Sequence, residues 1–110
     1  MKGKIVLIKF DFTDMSSSKV RPALVLIERD QDVVVAYITS IIPDPIDETC
    51  QIIIESSHPE FALTGLVKDS ALLLDKVATY DKSLIKKEIG EIGPVLTDQI
   101  NEILQNLYKM

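Results

Sequence analysis

Arg21 is followed by Pro22 at the head of an aliphatic run, "RPALVLI". An arginine keeps its charge at any workable pH and is costly to bury without a partner. Proline has no N–H to give a β-ladder and fits the first position of a strand, so the pair places a guanidinium at a strand mouth. There it can hold an anion from outside, or pair with a structural carboxylate. The other polar residues with chemical potential also fall at expected strand ends. Asp14, Ser16, Ser17, Ser18 and Lys19 precede Arg21 in a stretch without hydrophobic period. Thr39 and Ser40 interrupt the apolar run that starts at Val33, and Asp75 interrupts "ALLLDKVAT" in the same way. Taken singly, each has an ordinary reading. Thr suits strands, loop serines are turn chemistry, and Asp75 can pair with a lysine on a neighbouring strand.

Familiar catalytic constellations are absent from the sequence. The one histidine, His58, precedes Pro59 in a polar stretch and reads as an exposed imidazole without a role. The single Cys50 alternates into an apolar run and reads as a buried small hydrophobe. Without a second cysteine there is no disulfide framework within the chain and no thiolate zinc site, which fits a reducing cytoplasm. Neither a Gly-rich phosphate loop nor a metal-ligand spacing occurs. A formal net charge of −5 argues against a broad basic surface for nucleic acid, but it leaves room for a small local one.

The elements that must hold these residues are mostly strands. The 110 residues, 46% hydrophobic and 26% charged, suit one folded domain covering 1–110. "KIVLIKF" predicts a first strand, and "DFTDMSSSKV" an exposed loop. "RPALVLI" and "VVVAYITSII" predict two strands joined by a tight turn at Arg29–Asp32; both are apolar on both faces and so expected to be covered twice. "CQIIIES" predicts a fourth strand and "SHPEFALTG" a loop. "LVKDSALLLDKVATYD" holds one or two strands, and "KSLIKKEIGEIGP" a helical turn with a short last strand. Leu96, Ile100, Ile103, Leu104 and Leu107 recur at helical spacing behind Thr97, which stands as an N-cap. The apolar start of the chain is broken by Lys9 and Asp11, so it is no signal peptide, and no run is long enough to span a bilayer. Short strands closed by one helix predict a mainly β fold, a small twisted barrel.

Three blocks in order, "VLIKFDFTD…SSSKVRPALVL", "VVVAYITS" and "TGLVKDSALLLDKVATYDKSLI", resemble the PemK/MazF family of toxin endoribonucleases. The resemblance runs from the first strand to about Ile85. It implies an SH3-like barrel with a C-terminal helix, a homodimer, cleavage of single-stranded RNA without metal or other cofactor, and an antitoxin protein as partner. In such cleavage the ribose 2′-OH attacks the adjacent phosphate, leaving a cyclic phosphate and a free 5′-OH. The resemblance makes Arg21 the phosphate clamp and Thr39 a hydroxyl donor to the same phosphate. It sets Asp75, with Asp14, as candidate base, and gives Asp14, Ser16, Ser17, Ser18, Lys19 and Ser40 to substrate binding.

The chain departs from the family pattern at several places. Ser16 stands where many relatives have a Glu, the loop lacks the His that others carry, Leu73 replaces an Arg, and Ala78 replaces another. A second reading is therefore a barrel of the same fold that binds an antitoxin or regulatory partner with weakened catalysis. A third, a gyrase poison like the related CcdB toxins, fits poorly: those act through a tail containing Trp, and this chain has no Trp. Strands apolar on both faces also imply a face that the barrel alone leaves open, and hence a second copy to cover it. Light scattering at micromolar concentration is expected to report a dimer; a monomer would count against a groove shared between two copies.

Overall fold

The computed structural model describes residues 1–11 and 18–110. The β-branched and aliphatic runs form six strands: β1 Lys4–Asp11, β2 Ser18–Glu28, β3 Asp32–Thr39, β4 Gln51–Ile54, β5 Ser70–Asp81 and β6 Ile85–Glu91. A short helix α1, Phe61–Thr64, precedes β5, and helix α2, Pro94–Leu107, ends the fold. The strands make one antiparallel sheet in the order β4-β5-β3-β2-β1-β6. Register irregularities bend it at four places. The largest is in β5, where Leu74, Asp75 and Lys76 are looped out between the pairs Tyr37↔Leu73 and Ala36↔Val77.

Both faces of the sheet are buried, as the apolar strands require. On one face Ile5, Leu24, Ala36, Ile38, Leu72 and Leu74 join Leu96 and Ile100 of α2 in a single core. On the other, Val6, Ile8, Ala23, Val25, Val33 and Val35 form a second cluster covered by Tyr80, Leu84 and Ile85. Val6, Val33 and Val35 have no exposed surface. The premise that a second copy must cover this face therefore fails: the long β5 and the 3-10 turn Lys82–Leu84 cover it within one chain.

Several boundaries differ from expectation. β2 begins at Ser18, so Arg21-Pro22 lies inside a strand and not at its mouth. Proline is tolerated there because the ladder to β3 starts only at Ala23; residues 18–22 pair with β1 alone. Of the expected loop "DFTDMSSSKV", Asp11 belongs to β1 and Ser18, Lys19 and Val20 to β2; residues 12–17 lie outside the described residues. β3 stops at Thr39, and the expected loop "SHPEFALTG" contains α1. Of the helical stripe, Leu107 is 38% exposed and lies beyond the core.

The start of α2 is built from another part of the chain. Gly93 is the N-cap and Pro94 occupies the first turn, where a missing N–H costs nothing. Thr97 sits inside the helix and donates its hydroxyl to the Gly93 carbonyl at 2.8 Å. The free N–H groups of Val95 and Leu96 instead donate to Glu60, at 2.7 Å to Oε2 and 2.9 Å to Oε1. Burial alone raises the Glu60 pKa, but those two N–H groups, with His58 and the Gly93 N–H behind them, bring it below the ordinary carboxylate range. A helix N-terminus favours a negative charge for the same reason. His58 is half-buried and not idle: its Nδ1 accepts the Glu60 N–H at 2.9 Å.

Two glycines let α1 approach this end of the sheet. Gly65 ends α1 with φ of 74°, and a Cβ there would run into the Ile89 carbonyl of β6. A Cβ at Gly90 would meet the Thr64 carbonyl in the same contact. Gly65→Ala is expected to lower stability by at least about 1–2 kcal/mol from the left-handed backbone alone, read from a denaturant melt. Lowered carboxylate pKa values at Glu28 (about 2, through Lys82 and then the N-terminal ammonium), Asp47, Glu60 and Asp81 set the acid profile. Their stabilisation is complete above the ordinary values of 3.8 to 4.5 and is lost as pH falls through the lower folded ones. Melting temperature should be flat above about pH 5 and fall steadily below it, and Glu60→Gln should flatten part of that fall.

Candidate functional site

Antiparallel register places Arg21 and Thr39 on the same face. Ala23 pairs with Tyr37, and Tyr37 pairs with Leu73, so these three form one row across β2, β3 and β5. A step of two residues keeps a side chain on its face; it leads from Ala23 to Arg21 and from Tyr37 to Thr39. The β2–β3 ladder ends at the Ala23 row, and beyond it lies a groove of about 630 Å³. Arg21, Pro22, Tyr37, Thr39, Ser40, Ile41, Leu73 and Lys76 line it, with Leu66, Val67, Lys68 and Ser70 as the opposite wall.

That wall is held from α1. The Thr64 hydroxyl donates to the Phe61 carbonyl at 2.6 Å and accepts the Leu66 N–H at 3.2 Å. Leu66 is buried in the helix-side core, while Val67 and Lys68 turn outward. Asp69 accepts the Ser56 N–H at 2.7 Å, and the buried Ser70 donates to the Lys68 carbonyl at 2.9 Å. The segment from Gly65 to Ser70 is thus tied at both ends.

The groove suits an anion with apolar parts. Three cations, Arg21, Lys68 and Lys76, line it together with the hydroxyl residues Tyr37, Thr39, Ser40 and Ser70, and no carboxylate or imidazole does so among the described residues. Arg21 is exposed and makes no ion pair with a described carboxylate, so the structural-pair alternative has no support. The Thr39 Oγ1 accepts the Ile41 N–H at 3.0 Å, and its hydroxyl donates to the Ile41 carbonyl in a long contact of 3.5 Å that a better-placed acceptor can replace. Ile41 and Val67, 84% and 89% exposed, stand at the rim.

The remaining expected residues are scattered. Asp14, Ser16 and Ser17 lie outside the described residues; Ser18 opens β2 opposite Asp11, and Lys19 is exposed opposite Phe10. Asp75 interrupts its strand because it sits in the β5 bulge, and it lies towards Cys50, away from the groove lining. There burial pushes the Cys50 thiol up, and the charges of Asp75 and Asp47 push it further. Asp75 makes no ion pair among the described residues. Tyr37, Lys68, Ser70 and Lys76 were missed by sequence reasoning. For Tyr37 a signal existed, since it lies two residues before Thr39 and shares its face. Among the described residues no cluster of His, Cys, Asp and Glu could hold a metal ion, and no helix is long and apolar enough to cross a membrane.

Residues 1–108 match the sequence family described as the PemK-like, MazF-like toxin of type II toxin–antitoxin systems. The chain belongs to this family. Among curated proteins none matches it. Solved structures agree on the fold. A Mycobacterium tuberculosis toxin, MazF-mt6, superposes with a TM-score of 0.73 at 20% identity, covering 97% of each chain. A mycobacterial endoribonuclease in complex with its cognate antitoxin gives 0.69 at 17% identity, covering 96% of this chain and 91% of that one. A further M. tuberculosis toxin gives 0.70 at 19%, over 96% and 100%. The mainly β, SH3-like barrel with a C-terminal helix is therefore the fold of this PemK/MazF-family chain.

Because Arg21 is exposed and free of carboxylate partners among the described residues, its removal should not unsettle the fold. Arg21→Ala is expected to melt within about 0.5 kcal/mol of the parent chain, as surface substitutions do; a loss of several kcal/mol would reveal a hidden structural pair.

Proposed function

We propose that this PemK/MazF-family toxin is an endoribonuclease that cuts single-stranded RNA in the groove bounded by Arg21, Thr39 and Lys68. The observation that carries the reading is the charge of that groove. A chain of net charge −5 gathers three cations and four hydroxyl residues there, with no described carboxylate among them. Family membership supports it, as do the similar structures named as endoribonucleases.

In this reading the Arg21 fork binds two non-bridging oxygens of the scissile phosphate, and the Thr39 hydroxyl donates to one of them. The ribose 2′-OH attacks phosphorus, and a cyclic phosphate and a 5′-OH result. Lys68 and Lys76 hold neighbouring phosphates, and the exposed Ile41 and Val67 offer apolar contact to unstacked bases. Asp75 does not line the groove, and Asp14 lies outside the described residues, so neither gains support as the base. The antitoxin partner implied by the family is supported by the complex of a similar mycobacterial endoribonuclease with its cognate antitoxin. A homodimer remains part of the proposal, supported by family membership and not by an open sheet face.

Purified protein incubated with a long single-stranded RNA should cut it at discrete sites, equally with and without a chelator. Arg21→Lys should fail nearly as badly as Arg21→Ala, because an ammonium keeps the charge and loses the bidentate fork. Each should lose roughly a hundred- to a thousand-fold in rate, and Thr39→Val should lose less. Undiminished cutting by folded Arg21→Ala would retire the groove as the active site.

A further inference from the structure

RNA cleavage of the proposed kind expels a 5′-alkoxide, and the departing oxygen needs a proton. Neither a carboxylate nor an imidazole lines the groove among the described residues. What does line it, on the same face as Thr39 and two residues away, is Tyr37. Its hydroxyl meets that of Tyr80 at 2.5 Å in a half-buried contact. Resting on the RNA-cleaving reading of this groove, we propose that Tyr37 is the general acid that protonates the leaving 5′-oxygen, with Tyr80 as its positioning partner.

The geometry distinguishes Tyr37 from the other proton-bearing groups of the groove. Lys68 and Lys76 are exposed, and in water their ammonium groups serve as mobile counter-charges. Tyr37 is held in the sheet between Ala23 and Leu73, at the row from which Arg21 and Thr39 project onward. Its ring therefore has a fixed origin relative to the phosphate clamp. A phenol is also a stronger acid than the alcohol it would protonate, so the transfer runs downhill once the P–O bond has begun to break. Tyr80 is kept protonated by burial first and by the Tyr37 hydroxyl second, both of which raise its pKa. It can thus donate to the Tyr37 oxygen and stabilise the phenolate that forms.

The step balances without a metal or a covalent enzyme intermediate. The 2′-oxygen bonds to phosphorus as its proton passes to water. The bond from phosphorus to the 5′-oxygen breaks, and the Tyr37 hydroxyl proton moves to that oxygen. The Tyr37 phenolate, held by Tyr80, then recovers a proton from the hydronium made in the first transfer.

The test compares two leaving groups. Once a cut site has been mapped with the parent chain, a short RNA of that sequence is made with either oxygen or sulfur at the 5′-bridging position. A thiolate leaves without protonation. Tyr37→Phe should lose roughly a hundred- to ten-thousand-fold on the oxygen RNA, the range for general acids, and cut the sulfur RNA within about threefold of the parent. Tyr80→Phe should show a smaller loss, also relieved by sulfur, and Arg21→Ala should stay impaired on both substrates. Thermal melts confirm that each variant is folded; if Tyr37→Phe is not, the Tyr80→Phe comparison decides. Parent-like cutting of the oxygen RNA by Tyr37→Phe overturns the proposal, and so does an equal loss on both RNAs. If the folded parent chain cuts no long single-stranded RNA, so that no site can be mapped, the endoribonuclease reading itself is overturned.

Discussion

The carboxylate of Glu60 at the N-terminus of α2 is the tie on which the site's geometry depends. It answers two free N–H groups of a helix whose own cap, Gly93, has no side chain to offer. Glu60 is also the residue before α1, so the same contact that starts the last helix fixes the position of the short one. The close approach of Gly65 and Gly90 leaves α1 no room to shift against β6. From there the chain runs directly into Leu66, Val67 and Lys68, one wall of the groove. A structural ion–dipole contact at the start of α2 thereby helps position one wall of the candidate groove on the other side of α1.

The opposite wall has a different origin. It exists because β2 outruns its pairing with β3. Where the ladder stops, at Ala23 and Tyr37, no pairing joins Arg21 to Thr39, and both side chains line the groove from this side. Pro22 helps keep that end unpaired, since it has no N–H to extend a ladder. The sequence signature Arg-Pro thus marks the end of a ladder more than the start of a strand. Its cation is left in solvent, where desolvation costs little and a phosphate can be met.

Much of this was legible beforehand. The period-two and apolar runs mark the strands, while leaving open whether the run from Leu66 to Asp81 is one strand or two; the helical spacing marks α2, and the family resemblance pairs Arg21 with Thr39. Legibility failed where the cause lies in a distant residue. Thr97 has the chemistry of an N-cap, but Glu60, 36 residues from Leu96, took that role. α1 has only four residues and no periodicity to show. Lys68 and Lys76 look like any surface lysines until the fold of the Gly65–Ser70 segment and the β5 bulge turn them to one groove. The departures at Leu73 and Ala78 became intelligible in the same way. Leu73 lines the groove as an apolar floor, and Ala78 sits beside Val35 on the buried second face.

The β5 bulge counts residues. Pairs on either side of it, Tyr37↔Leu73 and Ala36↔Val77, are separated by one step on β3 and four on β5, an excess of three. Because facing alternates along a strand, an odd excess exchanges which positions point to which side. Before the bulge the odd-numbered residues, Ala71 and Leu73, share the groove face; after it the even-numbered ones do, and Tyr80 is among them. Sliding the segment after the bulge by one residue, with nothing added or removed, would make the excess two or four and turn Tyr80 towards the helix-side core, away from Tyr37. A residue inserted or deleted within the bulge leaves Tyr37↔Leu73 and Val33↔Tyr80 paired as before, so β5 can change length here without turning either flank.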